Sequence, residues 1–136
     1  MIGNINAALL VIRVGISLAF LYHGSGILFG AFGGPGPQGF AAFTHLPLAV
    51  VYLVGLAQVG GGIAILLGIF TRIGALCLVL VMLGAILTVH APHGFDINKG
   101  GYEYALSLLL AALGLFISGP GAYSLSAHLS PSIARL

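Results

Sequence analysis

Long apolar runs alternate along the chain with short segments in which the polar residues collect. The runs that are long enough to form membrane helices extend from about Ile5 to Phe29, Leu48 to Phe70, Ile73 to His90 and Glu103 to Ser118. A helix needs about 20 mostly apolar residues to cross a hydrocarbon core of about 30 Å, and about 17 is the lower limit. The pattern predicts an all-α fold: one domain, residues 1–136, forming an integral membrane four-helix bundle with up-down-up-down topology.

The segments between the runs contain residues that end helices. Segment 30–47 holds several glycines and three prolines, which favour a loop. A tight turn from Phe70 to Arg72 predicts that the second and third helices form a hairpin. Gly119 and the proline after it end the fourth helix before a tail over 119–136.

Composition excludes an ordinary soluble protein. Of the 136 residues, 60% are hydrophobic and 4% are charged, against about 25% charged residues in soluble domains. Four basic residues and a net charge of +2 are too few for a nucleic-acid-binding patch. A single cysteine, Cys77, allows no intrachain disulfide. The first apolar run has no basic region before it, so it is predicted to be a retained helix and not a signal peptide.

The basic residues predict an orientation in the membrane. Arg13, Arg72 and Arg135 fall on one side of the predicted bundle and Lys99 on the other. Because basic residues are enriched in cytoplasmic segments, both termini and the tail are expected in the cytoplasm. The predicted location is the cytoplasmic (inner) membrane of a bacterium or archaeon.

Most of the remaining polar residues are predicted to lie at the opposite, extracytoplasmic end. These residues are Tyr22, His23, His45, His90, His93, Asp96, Lys99, Tyr102, Glu103 and Tyr104. Ionisable groups in membrane segments are candidates for function. The candidates for ligand binding or proton transfer are His23, His90 and Glu103, with Tyr22, Tyr102 and Tyr104 beside them.

Other interpretations of these residues stay open. Glu103 lies in the first turn of its helix, where the helix dipole stabilises a carboxylate. His45 and His93 also fit simple loop residues at the membrane interface. No metal site is predicted, although His23, His90 and His93 form a weaker alternative ligand set.

Two polar residues are expected deeper in the bilayer. At 1.5 Å per residue, Arg13 lies about 12 Å and Gln58 about 18 Å from the inner ends of their helices. Arg13 either extends to the cytoplasmic interface or contacts Gln58 or a backbone carbonyl. Small residues at four-residue spacing, such as Gly60 and Ala64, predict close helix packing or a groove for a lipid-like tail.

Several longer motifs carry a resemblance to a known family. They are YHGSGILFG, VGGGIAILLGIFTRIGAL, VHAPHGF and GGYEYALSLLLAALGLFISGPGAYSL. The chain resembles the DoxX family of small four-helix membrane proteins over nearly its whole length. The resemblance implies association with redox enzymes, since family members include the membrane subunit of thiosulfate:quinone oxidoreductase. His23, His90, Glu103, Arg13 and Arg72 are the residues carried over from it.

The chain also departs from that family pattern. Ile27 and Gln58 stand where relatives commonly carry a Lys and a Glu, and Ala122 and Ser126 stand where a basic and an acidic residue are usual. Loss of one member of a buried ion pair is costly, whereas loss of both can be nearly neutral. The changes at 27 and 58 are therefore expected to be linked.

Three functions follow as hypotheses. The first is a membrane subunit of a quinone-linked oxidoreductase that binds a quinone or lipid-like ligand near the extracytoplasmic face, carries no covalent cofactor and is not catalytic alone. The second is a non-catalytic anchor or assembly factor that docks a peripheral enzyme through the loop phenylalanines Phe29, Phe32, Phe40 and Phe43. The third is a small carrier or lipid-binding bundle. The expected partners are the lipid bilayer, an oxidoreductase and further copies of the chain.

Overall fold

The computed structural model describes residues 2–129, and this part of the chain is all-helical. Its α-helices are four long ones, α1 (Ile2–Phe29), α3 (Leu48–Leu67), α4 (Thr71–Ala85) and α5 (Glu103–Ser118), and a short one, α2 (Gly36–Thr44). A π-helical turn, Ile86–His90, continues α4, and four short 3₁₀ turns complete the described chain: Ala31–Gly33, Ala91–His93, Ile97–Lys99 and Leu125–His128.

Three helical segments in the described range are long and apolar enough to cross a membrane. They are Gly3–Phe29, Leu48–Leu67 and Thr71–His93, the last of which joins α4 to the turns after it. The fourth apolar helix, Glu103–Ser118, has 16 residues and is about 24 Å long. The prediction of an all-α protein is therefore confirmed for the described residues, which contain three to four apolar helices suited to a membrane where four were predicted.

The prediction of a loop over 30–47 is wrong for its middle part, where α2 forms. Pro35 occupies the N-cap and Pro37 lies in the first turn of this helix. Proline lacks an N–H, but N–H groups in the first turn have no intrahelical partner, so proline starts helices well. α2 ends at His45, whose φ of 57° is left-handed. The same prolines that exclude a long helix thus favour a short one.

The ends of the two central helices also differ from the prediction. α3 stops at Leu67 instead of Phe70 because Gly68 adopts a left-handed φ of 69° and its N–H bonds the carbonyls of Ala64 and Ile65. This is a common helix-ending geometry for glycine. α4 then starts at Thr71, two residues before the predicted Ile73.

The long helices pack in a closed series. α1 contacts α3, α3 contacts α4, α4 contacts α5, and α5 contacts α1. The buried core between them consists of Ile16, Phe20, Ile65, Ala75, Leu78, Met82, Ala105, Leu109, Ala112 and Leu115.

Glycines bring α3 close to its neighbours, although not all at the predicted positions. A Cβ on Gly24 would lie 2.8 Å from Cβ of Gln58, and a Cβ on Gly61 would lie 3.0 Å from the carbonyl oxygen of Gly74. Gly60, by contrast, has open space around it, so its predicted packing role is wrong. Because lipid provides no hydrophobic driving force between helices, such close backbone approaches hold the bundle together.

Candidate functional site

Arg13 of α1 joins three parts of the chain at one end of the bundle, which is called here the arginine end. Arg13 is 1% exposed. Its Nε donates a hydrogen bond to the carbonyl of Ile65 at 2.7 Å, and its Nη2 donates to Leu66 at 2.8 Å. Its Nη1 donates to Tyr123 at 2.6 Å and to Pro120 at 3.1 Å. Of the alternatives that the sequence leaves open, the contact with backbone carbonyls is the one observed.

This bonding follows from how α3 and α5 end. The last carbonyls of a helix have no intrahelical donor and lie at the negative end of the helix dipole, and Ile65 and Leu66 are in the last turn of α3. Gly68 makes the approach possible, since a Cβ there would lie 2.5 Å from Nη2 of Arg13. The guanidinium thereby ties α1 to α3 and to the segment that follows α5.

Further contacts hold the segment after α5 at the arginine end. The N–H of Ala122 donates to Oδ1 of Asn6 at 2.9 Å, and the N–H of Ser126 donates to the carbonyl of Gly68 at 3.1 Å. Ser126 is buried and its Oγ lies 3.1 Å from Oγ of Ser124. Ala122 and Ser126 thus lie in a segment that is bonded to α1 and to the end of α3, while Arg135 lies outside the described residues.

The opposite end, called here the histidine end, is held by weaker contacts. The rings of His23 and Tyr104 lie 6.4 Å apart and join α1 to α5, while Tyr22 stacks on Phe32 at 5.1 Å. Tyr102 packs edge-on against Phe95 at 5.5 Å. The predicted candidates His23, Tyr22 and Tyr104 therefore do lie together.

His90, His93 and Glu103 bond to backbone groups. Nδ1 of His90 donates to the carbonyl of Gly100 at 2.8 Å, and Nδ1 of His93 donates to Val89 at 3.0 Å. Oε2 of Glu103 accepts from the N–H of Ile97 at 3.2 Å. No bond between Glu103 and His23 or His90 is present in residues 2–129, so the predicted pairing is not observed.

The alternative metal set is not assembled either. Among the described residues, no group of three or more His, Cys, Asp or Glu side chains lies close enough to hold a metal ion. His23 faces Tyr104, whereas His90 and His93 each bond the backbone of the segment around them.

A cavity of about 470 Å³ lies between α2, α3, α4 and the π-helical turn. Its walls are mostly aliphatic, and the polar or sulfur-containing lining residues are Thr44, Gln58, Cys77, Met82 and Thr88. Pockets of about 300–1,000 Å³ with apolar walls and a few polar groups are typical of small-molecule sites. π-helical turns are also frequent at functional sites. This space, called here the α3–α4 cavity, is the best-formed candidate site.

Gln58 is the most unusual residue of the α3–α4 cavity. It is 4% exposed, and its Oε1 is buried without a hydrogen-bond partner. An unpaired buried acceptor costs about 1–3 kcal/mol. Thr44 and Thr88 donate their hydroxyl protons to the carbonyls of Phe40 and Gly84 at 2.8 and 2.7 Å, so each offers the cavity only a lone pair.

A second cavity, of about 350 Å³, lies at the histidine end between α1, α2 and residues 31–35. Tyr22, His23 and Ile27 line it, and Phe40 of α2 lines both cavities. Ile27 also lies 3.3 Å from a Cβ built on Gly55, and Gln58 lies against Gly24. Ile27 and Gln58 are therefore both buried along the contact between α1 and α3.

The sequence prediction singled out Gln58 but did not predict the cavity beside it. Apolar runs do not show which residues line an internal space, and α2, which covers the space, was predicted as loop. One signal was available: Gln58 and Thr88 are polar residues within neighbouring apolar runs, and both line the cavity.

These features define a small helical membrane protein with an apolar cavity between its helices. The family model described as DoxX matches residues 8–91, and the chain belongs to the DoxX family. The matched range contains Arg13, Gln58 and every residue of the α3–α4 cavity.

Curated relatives from three bacteria are similar over most of their length. "Putative oxidoreductase CatD" of Bacillus subtilis is 30% identical over 81% of this chain and 78% of its own. "Inner membrane protein YqjF" of Escherichia coli is 31% identical over 88% and 90%. "Uncharacterized membrane protein Rv3486" of Mycobacterium tuberculosis is 33% identical over 90% and 82%. No solved structure matches the chain.

Proposed function

We propose that the protein is a DoxX-type membrane subunit of a quinone-linked oxidoreductase system, and that it holds a quinone or lipid-like ligand in the α3–α4 cavity. The observation that carries the proposal is a cavity of about 470 Å³ with aliphatic walls and one unpaired buried amide. Aliphatic walls suit an isoprenoid tail, and the amide suits a ring oxygen. A bound quinone supplies two-electron, two-proton chemistry, and the electrons are exchanged with a partner protein.

The name of the CatD relative supports an association with oxidation and reduction. Tyr22 and His23 line the second cavity and Tyr104 packs against His23, so these three are the proposed proton-transfer groups on the outer side. Glu103, His90 and Tyr102 are proposed to act with them by shaping the loop between the π-helical turn and α5. The chain is not proposed to catalyse a reaction alone.

We propose alternating crossings for the four helices, with both termini cytoplasmic, in a bacterial inner membrane. The contacts support this topology: Gly24 meets Gln58 and Gly62 meets Leu21, so α1 and α3 run in opposite directions. A cysteine placed at Gln38, in a Cys77→Ala background, is expected to react with an impermeant reagent added outside the cell. Reaction only from the inside would contradict the orientation.

The ligand proposal is tested with two glycine variants that are matched in their surroundings. Gly84 and Gly114 are both exposed helix glycines with open space where a Cβ would lie, but only Gly84 lines the α3–α4 cavity. Protein in lipid nanodiscs is incubated with a decyl-benzoquinone, and bound quinone is quantified against empty nanodiscs. Gly84→Leu fills the cavity and should weaken binding about tenfold, or about 1.4 kcal/mol, whereas Gly114→Leu should bind like wild type.

The outcomes separate the competing functions. Equal binding by the two leucine variants would contradict the cavity as the quinone site. Retention of phospholipid that quinone does not displace would favour the lipid-binding or carrier function.

A second function, that of an anchor for a peripheral enzyme, is supported by an aromatic surface at the histidine end. Phe29, Phe32 and Phe43 are 74%, 72% and 69% exposed. Exposed apolar patches are typical of protein or membrane contacts. Replacing all three with serine should abolish co-purification of a soluble oxidoreductase from gently solubilised membranes if this surface docks it, and should leave quinone binding intact.

A further inference from the structure

We infer that the α3–α4 cavity binds the reduced, hydroxyl-bearing form of its ligand, a hydroquinone, more tightly than the oxidised quinone, with one ligand hydroxyl donating to Oε1 of Gln58. The inference rests on the proposed function and adds the redox state that the site prefers and the residue that sets the preference.

The first argument is the hydrogen-bonding inventory of Gln58. Its Oε1 is buried without a partner, and in residues 2–129 no hydrogen bond is formed by the amide. A quinone carbonyl can only accept a hydrogen bond, so it would pair with the amide NH₂ and leave Oε1 unpaired. A hydroquinone hydroxyl can donate to Oε1 and accept from the NH₂ group, so it can pair both parts of the amide, whereas a quinone carbonyl can pair only one.

The second argument is the chemistry of the other polar groups in the cavity. The hydroxyl groups of Thr44 and Thr88 already donate hydrogen bonds to the backbone carbonyls of Phe40 and Gly84. They therefore present acceptor lone pairs and no donor to the cavity. Together with Oε1 of Gln58, they make an acceptor-rich set, which matches the two hydroxyl donors of a hydroquinone better than the two carbonyl acceptors of a quinone.

The third argument is that the amide can turn toward a ligand. The terminal torsion of glutamine is broad, and Gln58 lines the cavity near mid-depth on α3. Thr88 and Val89 of the π-helical turn line the same cavity. The ligand tail would lie along the aliphatic wall residues, which offer it no competing hydrogen bonds.

The test measures binding of decyl-hydroquinone and decyl-quinone separately, under anaerobic conditions, to wild type, Gln58→Met and Gly114→Leu in nanodiscs. Gln58→Met keeps the length and volume of the side chain but removes the acceptor. Because an unpaired buried acceptor is removed, this variant is expected to fold at least as stably as wild type, and its melting temperature is measured to check that.

Wild type and Gly114→Leu should bind the hydroquinone about tenfold more tightly than the quinone. Gln58→Met should lose most of this preference, and it should bind the quinone no more tightly than wild type does, because the NH₂ donor is removed together with the acceptor. Equal affinity of wild type for both forms, or a preference that survives at full size in Gln58→Met, would overturn the inference while leaving the proposed function intact. Binding of neither form to wild type would overturn both.

Discussion

The two ends of the bundle both consist of apolar helices with a few polar residues, but the polar residues form different contacts at the two ends. At the arginine end, one buried guanidinium bonds four backbone carbonyls from α3 and the segment after α5. At the histidine end, His90, His93 and Glu103 each make a single contact with the backbone of a loop. Stability is therefore concentrated at one end, and both cavities extend toward the other.

The difference shows how a protein with few charged residues divides its functions. A buried charge with four hydrogen bonds is costly to disturb, so the arginine end is suited to fixing the helices. Moving a partly exposed side chain that makes one hydrogen bond costs little free energy. The histidine end, with the cover formed by α2, is where a ligand can enter.

The largest expected effect comes from removing the charge at the arginine end. Arg13→Met removes the hydrogen bonds from the guanidinium to four carbonyls, of which Ile65 still accepts from the N–H of Gly68, and should lower the free energy of unfolding by about 3–5 kcal/mol. Arg13→Lys should recover only part of this loss, since an ammonium cannot reproduce the planar fork of the guanidinium. Unfolding in mixed detergent micelles measures both variants. Wild-type stability in Arg13→Met would show that the two ends do not differ as described.

A smaller effect is expected from the glycine that admits the guanidinium. Gly68→Ala places a Cβ against Arg13 in a left-handed backbone and should cost about 2–3 kcal/mol. Gly60→Ala is the matched control in α3, because Gly60 has open space, and it should stabilise by up to about 1 kcal/mol. If the two alanine variants unfold at the same denaturant concentration, the packing around Gly68 is not as described.

The smallest effects are expected at the histidine end. His90→Ala removes one hydrogen bond to Gly100 and should cost about 0.5–1.5 kcal/mol. Faster amide hydrogen exchange should be confined to the loop between the π-helical turn and α5. A loss as large as that of Arg13→Met would mean that the histidine end is as tightly fixed as the arginine end.

The membrane helices could be predicted from the sequence because their signal is local. Apolar runs of sufficient length at 2–29 and 48–67 form helices whatever they pack against, since every backbone group must be bonded within lipid. α2 was missed because its two early prolines were interpreted as helix breakers, although proline in the first turn starts a helix.

The site was harder to predict because it depends on contacts between distant segments. The partners of Arg13 are more than 50 residues away along the chain, and nothing in the spacing of residues identifies which carbonyls it meets. The grouping of His23 with Tyr104 could be predicted from depth alone. The pairing of Glu103 with histidines could not, because equal depth does not fix the direction of a side chain.

The most direct test of the central claim maps where a quinone binds. A photoreactive azido-quinone is crosslinked to the protein in nanodiscs, and the labelled peptides are identified by mass spectrometry. The account predicts labels within residues 40–58 and 77–89, which line the α3–α4 cavity, and their loss in Gly84→Leu but not in Gly114→Leu. Labels that fall only on the outward faces of α1 and α5, with no change in Gly84→Leu, would contradict it.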